Sequence, residues 1–82
     1  MGQHPPHRAR IVFYDVALEQ VNAMAPAELA RLDVVLRVIA ALPTVGTSTK
    51  RGSARQYEMG PVRVLYVRTA LGTLVLVAHV EA

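Results

Sequence analysis

Arg55-Gln56-Tyr57-Glu58-Met59-Gly60-Pro61-Val62-Arg63-Val64-Leu65-Tyr66-Val67-Arg68, followed after a turn by Thr73-Leu74-Val75-Leu76-Val77-Ala78-His79-Val80, decides how this chain folds. β-Branched and aromatic residues recur through both runs. Gly60-Pro61 and Ala70-Leu71-Gly72 punctuate them, so the segment reads as three short strands joined by two tight turns. Arg63 stands in the middle strand among apolar residues. A guanidinium is costly to bury, so it needs a partner or a purpose there.

Strand parity adds a neighbour. A two-residue turn at Gly60-Pro61 pairs Glu58 with Arg63; a turn centred one residue later pairs Glu58 with Leu65. Side chains alternate with period two, so in both registers Glu58 and Arg63 share a face unless a bulge intervenes. Tyr57, Met59, Val62, Val64 and Tyr66 then share the other face. Thr73 to Val80 alternates little, and burial on both faces is expected. One face takes the helices. The other calls for a partner, a returning segment or a second subunit.

Upstream, the pattern is helical. Arg8 to Tyr14 is rich in strand formers and predicts a first strand. Asp15 can cap a helix in which Leu18, Val21 and Met24 or Ala25 recur at helical spacing. Pro26 suits the first position of a second helix, and Glu28 favours its positive end. Leu29, Leu32, Leu36 and Ile39 trace an apolar stripe, widened by Val35, Val38 and Leu42, and Pro43 stops it. Thr44 to Ser53 is polar, with two glycines and Lys50-Arg51, and is the expected mobile loop. The order β-α-α-β-β-β predicts an α+β two-layer domain over residues 8–82, a helical hairpin packed on a small, mainly antiparallel four-stranded sheet. Residues 1–7 read as a flexible lead-in.

Composition bounds the function. Eighty-two residues make one domain, and 52% of them are hydrophobic, with one Phe and no Trp, so the core is aliphatic. So apolar a small chain is expected to turn some surface toward a partner, a homodimer included. The absence of cysteine excludes disulfides and thiolate metal sites. No signal-peptide core and no membrane-length apolar run is present, so a soluble cytoplasmic protein is expected. His4 and His7 lack a third ligand, and no metal or other cofactor is expected. The net charge of +3 is uneven. Lys50, Arg51, Arg55, Arg63 and Arg68 face only Glu58 and Glu81 in the strand half. A basic face attracts phosphates; the bland alternative is a solvated surface. Gly46 to Gly52 lacks Walker spacing, and nothing in the sequence joins Ser48 or Ser53 to a histidine and an acid.

Gly60-Pro61-Val62-Arg63-Val64-Leu65-Tyr66 resembles the Gly-x-Tyr-Arg-hydrophobic-hydrophobic-Tyr signature of the RelE/ParE toxins of bacterial type II toxin–antitoxin systems. Val75-Leu76-Val77-Ala78-His79 is similar to their closing strand, which commonly ends in Gly-His-Arg. The helix ending at Leu42-Pro43 and the basic loop after it match as well, and the resemblance covers about residues 10 to 80. It implies a toxin neutralised by a cognate antitoxin. RelE-like members cut mRNA in the ribosomal A site, and ParE-like members inhibit DNA gyrase. For a RelE-like ribonuclease the implied chemistry is metal-independent attack of a ribose 2′-OH on the adjacent phosphate. That reaction needs positive groups at the phosphorane-like transition state and groups that move protons.

Carried over by position, Arg63 matches the phosphate-contacting arginine of the middle strand. His79 matches the histidine of Gly-His-Arg, with Ala78 for the glycine and Val80 for the arginine. Lys50, Arg51, Arg55 and Arg68 are the expected nucleic-acid contacts. Two features depart from the family: Gln56 and Glu58 stand where the second strand usually offers Lys or Arg, and the further C-terminal tyrosine is not among these residues. Glu58 reads either as a general base beside Arg63 or as a cross-strand pair that competes with phosphate. Tyr57 and Tyr66 read as core. The alternative to an active toxin is a non-catalytic interaction module on the same fold.

Overall fold

In a computed structural model, which describes residues 9–50, 52–69 and 73–82, the chain runs β1 (Arg10–Phe13), α1 (Asp15–Asn22), α2 (Pro26–Ala41), β2 (Thr47–Ser48), β3 (Ala54–Met59), β4 (Val62–Arg68) and β5 (Leu74–Glu81). The expected N-terminal lead-in, Arg51 and the second turn at Ala70-Leu71-Gly72 lie outside the described residues. The strands form one sheet in the order β1-β5-β4-β3-β2. β1 pairs with β5 in parallel, and every other pairing is antiparallel. The expected α+β architecture holds, with five strands rather than four.

The additional strand comes from the loop that the sequence marks as mobile. Thr47 and Ser48 pair with Gln56 and Arg55. The buried Tyr66 hydroxyl donates to Pro43 O at 2.8 Å and accepts from Gly46 N at 3.1 Å, pinning the segment that leaves α2. A Cβ on Gly46 would stand 2.8 Å from both Gln56 O and the Tyr66 hydroxyl, so only glycine permits this approach. Hydrogen bonds that polar composition does not reveal thus tie down the first half of the loop.

One sheet face packs under the helices. Leu32, Val35 and Ile39 of α2 meet Val62, Val64 and Tyr66 of β4 and Val75, Val77 and Val80 of β5, none more than 2% exposed. Burying each aliphatic side chain contributes about 1.5–3 kcal/mol, which outweighs any difference in helix propensity. The stripe on α2 is narrower than the sequence suggests, because Leu29 and Leu42 are 38% and 56% exposed. On α1 the inward line also shifts by one residue. Ala17 is fully buried, Val21 and Met24 pack against the core, and Leu18 is 46% exposed. Asp15 is the first helical residue instead of the cap: Tyr14 holds the cap position without a side-chain bond. Its carboxylate still favours the positive end of the helix. Glu28 reaches back to the Ala25 N–H at 2.7 Å and closes the start of α2. No described helix is long and apolar enough to cross a membrane.

Candidate active site on the open sheet face

Gly60 takes a φ of +57°. With Pro61 fixing the next φ near −65°, this is the combination that a type II′ hairpin requires. The tight turn sets Glu58 opposite Arg63 and Met59 opposite Val62. Arg63 Nε donates to Glu58 Oε2 at 2.9 Å. From the other side β5 brings Glu81 opposite Arg63, with Oε1 3.9 Å from Nη1. All three side chains are about half exposed. The Glu58 hydrogen bond, the Glu58 charge and then the Glu81 charge hold the Arg63 pKa above its ordinary value. A folded pKa raised above the unfolded one stabilises below the unfolded value and loses that effect only as pH climbs past the raised one. Arg63 is therefore a cation at any pH below strong alkali. One of its five N–H donors is taken by Glu58, and the Nη donors remain for an anion.

His79 reaches the same face by a break in the strand. Plain alternation along β5 would put His79 beside Val75 and Val77, in the core. The pairing of β4 with β5 instead slips: Tyr66 is opposite Val77, and Leu65 is opposite His79. Ala78 is the extra residue. A bulge re-aims the side chains beyond it, so His79 and Glu81 join Leu65 and Arg63, while Val80 returns to the core at 2% exposure. His79 Nε2 lies 3.5 Å from the same Glu81 Oε1 that faces Arg63. On the opposite edge of the ring, Nδ1 is 2.9 Å from Gln20 Nε2, and Gln20 Oε1 accepts from the Val80 N–H at 2.8 Å.

A cleft of about 600 Å³ gathers Lys50, Gln56, Arg63, Leu65, His79 and Glu81. The expected site residues Arg63, His79 and Lys50 thus line one cleft, and Glu58 adjoins it through its bond to Arg63. Two others do not. Arg55 and Arg68 fall on the opposite parity, with Tyr66, because Arg55 pairs with Tyr66 and Arg68 with Val75. They line a separate cleft of about 450 Å³ with Ser48, Ser53 and Thr69. Arg55 is spent on the backbone: Nη2 donates to Thr44 O at 3.2 Å and Gly46 O at 2.6 Å. Arg51 lies outside the described residues. Among the described residues no cluster of three or more His, Asp or Glu could hold a metal ion.

Gln20 and Glu81 belong to the site without having been singled out in the sequence. Glu81 was legible in principle, since a regular meander sets the end of β5 beside the start of β4. Gln20 carried a weaker signal. It is the polar member of the line Ala17, Gln20, Val21, Met24 at helical spacing, which a stripe started at Leu18 hides.

In chemical terms the cleft offers a permanent cation, a second cation at Lys50, an imidazole and the Glu81 carboxylate, with the Glu58 carboxylate paired to Arg63 beside it. That set can hold a phosphate and move protons around it. No family model matches this sequence, and no curated protein does. Solved structures do match. A chain of the toxin–antitoxin complex RelBE2 from Mycobacterium tuberculosis superposes with a TM-score of 0.74 at 19% identity, covering 90% of this chain and 96% of the other. The isolated E. coli RelE toxin gives 0.75 at 15% identity, covering 87% and 80%. The archaeal RelE–RelB complex from Pyrococcus horikoshii gives 0.65 at 12%, covering 90% and 93%. The chain therefore has the fold of the RelE toxins.

Proposed function

We propose that this protein is the cytoplasmic toxin of a type II toxin–antitoxin pair and acts as a RelE-like mRNA endonuclease on the ribosome. The observation that carries the reading is the gathering of Arg63, Lys50, His79 and two carboxylates on the uncovered face of a RelE-type sheet. In the reaction, the 2′-oxygen of the substrate ribose forms a bond to the adjacent phosphorus. The bond from phosphorus to the 5′-oxygen of the next nucleotide breaks. The 2′-hydroxyl proton passes to a carboxylate, Glu58 or Glu81, the carboxylic acid so formed protonates the departing 5′-oxygen, and His79 donates a hydrogen bond to a phosphate oxygen. The products are a 2′,3′-cyclic phosphate and a 5′-hydroxyl. Arg63 stabilises the charge on the phosphorane-like transition state, with Lys50 beside it.

A cognate antitoxin is the proposed partner, by analogy with the complexes crystallised for the RelE neighbours. Inducible expression in bacteria tests the whole reading. The wild-type chain should arrest growth and cut mRNA in translated frames. Arg63→Ala should relieve both. Unchanged mRNA with failed DNA supercoiling would transfer the target to gyrase, and no growth effect at all would overturn the toxin assignment.

A second reading has its own support. Glu58 and Glu81 both engage Arg63, as they would in a non-catalytic module. Exposed Tyr14, Val16 and Leu18 would then serve a homodimer or another protein. Light scattering of the purified chain separates the cases: a clean monomer that cleaves RNA excludes the module.

A further inference from the structure

We infer that Gln20 is a positioning residue that holds the imidazole of His79 as the Nε2–H tautomer, with its donor turned toward Glu81 and the cleft. The assignment rests on the two bonds of one amide. β1 ends at Phe13, opposite Val77, so beyond that point β5 has no strand partner on this side among the described residues. The N–H of Val80 meets Gln20 Oε1 instead, at 2.8 Å. A backbone N–H can only donate, so the oxygen of the amide must face it. The Gln20 Nε2 group, a pure donor, then faces His79 Nδ1 at 2.9 Å. Nδ1 must accept, and in a neutral imidazole the proton sits on Nε2. That nitrogen is 3.5 Å from Glu81 Oε1, the oxygen that also faces Arg63.

The consequence deepens the proposed ribonuclease reading and rests on it: His79 presents a hydrogen-bond donor to the cleft, which suits an oxygen of the phosphorane-like transition state, while the Gln20 donor against Nδ1 keeps the ring neutral and leaves proton transfer to the carboxylates. The role of base falls to a carboxylate. The bulge at Ala78 turns the ring outward, and the helix-borne amide selects its proton. Catalytic geometry here combines α1 with the last strand, two elements far apart in sequence.

Nitrogen-15 correlation spectra of the histidine side chains in the full chain read the tautomer directly, at a pH well above the ordinary imidazole range. Wild-type His79 should show a protonated Nε2 and an unprotonated Nδ1. Gln20→Glu replaces the donor with an acceptor and keeps both the shape and the acceptor for Val80. It should move the proton to Nδ1. Gln20→Met should give a mixture, and Glu81→Gln should leave the Nε2–H form in place. A wild-type Nδ1–H signal, or an unchanged tautomer in Gln20→Glu, would overturn the assignment. RNA cleavage is scored separately. Gln20→Glu should lose roughly tenfold or more while its backbone spectrum stays folded. A wild-type chain that never cleaves RNA would sink the ribonuclease reading and leave the tautomer result standing.

Discussion

The two faces of this sheet are built from the same strands and obey different rules. The face under the helices is aliphatic and fully desolvated around Val64, Tyr66, Val75 and Val77. Its residues are set by volume and by alternation. The open face carries Glu58, Arg63, His79 and Glu81 in half-exposed contact with one another. Its residues are set by register and by one irregularity, the bulge at Ala78. Packing decides the first face and charge the second. Stability should therefore belong almost wholly to one face and anion binding to the other.

The strongest way to break that division is through the core. Leu32 is 2% exposed and sits where α2 meets the sheet. Leu32→Ala should cost about 2–5 kcal/mol, the removed transfer energy plus the cavity left behind. That is a large share of the about 5–15 kcal/mol that a small domain possesses. Urea unfolding should show a lowered midpoint at an unchanged slope. A loss below 1 kcal/mol would mean that α2 docks loosely and that the helix layer is not what holds the sheet.

Next in size is a contrast between two arginines. Arg55 and Arg63 look alike in sequence, both basic residues in neighbouring strands. Opposite parity gives them different work. Arg55 donates to the carbonyls of Thr44 and Gly46 and so fastens the loop that leads to Lys50. Arg55→Ala should cost about 1–3 kcal/mol, with little change in affinity for a short RNA beyond what the loosened loop explains. Arg63→Ala should leave the unfolding midpoint nearly where it was and weaken RNA binding. Paired unfolding and fluorescence-anisotropy titrations decide the matter. Equal behaviour of the two variants would erase the distinction between the faces.

These cases show what was legible in the sequence. Alternation in β4 predicted the core residues Val62, Val64 and Tyr66 and put Glu58 on the face of Arg63, and of the two registers left open the two-residue turn at Gly60-Pro61 gives the direct pairing. The helices were legible as elements. Their inward lines were less so: Ala17 is too small to stand out beside Leu18, yet it is the fully buried residue of α1. Charge composition left a phosphate-binding face and a solvated surface both open. Five cations in the strand half suggested a basic face, but Arg55 and Arg68 point with the core-facing set and both carboxylates converge on Arg63. The place of His79 was hidden for a different reason. Nothing in Val77-Ala78-His79 announces a bulge, and without it the histidine would face the core.

The smallest expected effect on stability carries the sharpest information about the open face. Glu58→Gln keeps the shape of the side chain and removes its charge, leaving an amide oxygen that can still accept from Arg63 Nε. The fold should hardly notice, because both partners are half exposed and such pairs are screened by solvent. Anion binding should notice. A carboxylate 2.9 Å from the guanidinium competes with a phosphate for the same cation. With that competition gone, RNA should bind more tightly at low salt. The slope of log affinity against log salt should steepen by about 0.7, the value for one more phosphate neutralised on a single strand. Cleavage then separates the two roles of Glu58. If it only pairs, Glu58→Gln binds RNA better and cuts at least as fast, with Glu81 left as the acceptor for the 2′-hydroxyl proton. If it is the base, the variant binds better and cuts more slowly, by roughly 10²-fold or more. Unchanged binding with an unchanged salt slope would show that Arg63 does not meet phosphate at all, and the open face would then belong to a protein partner.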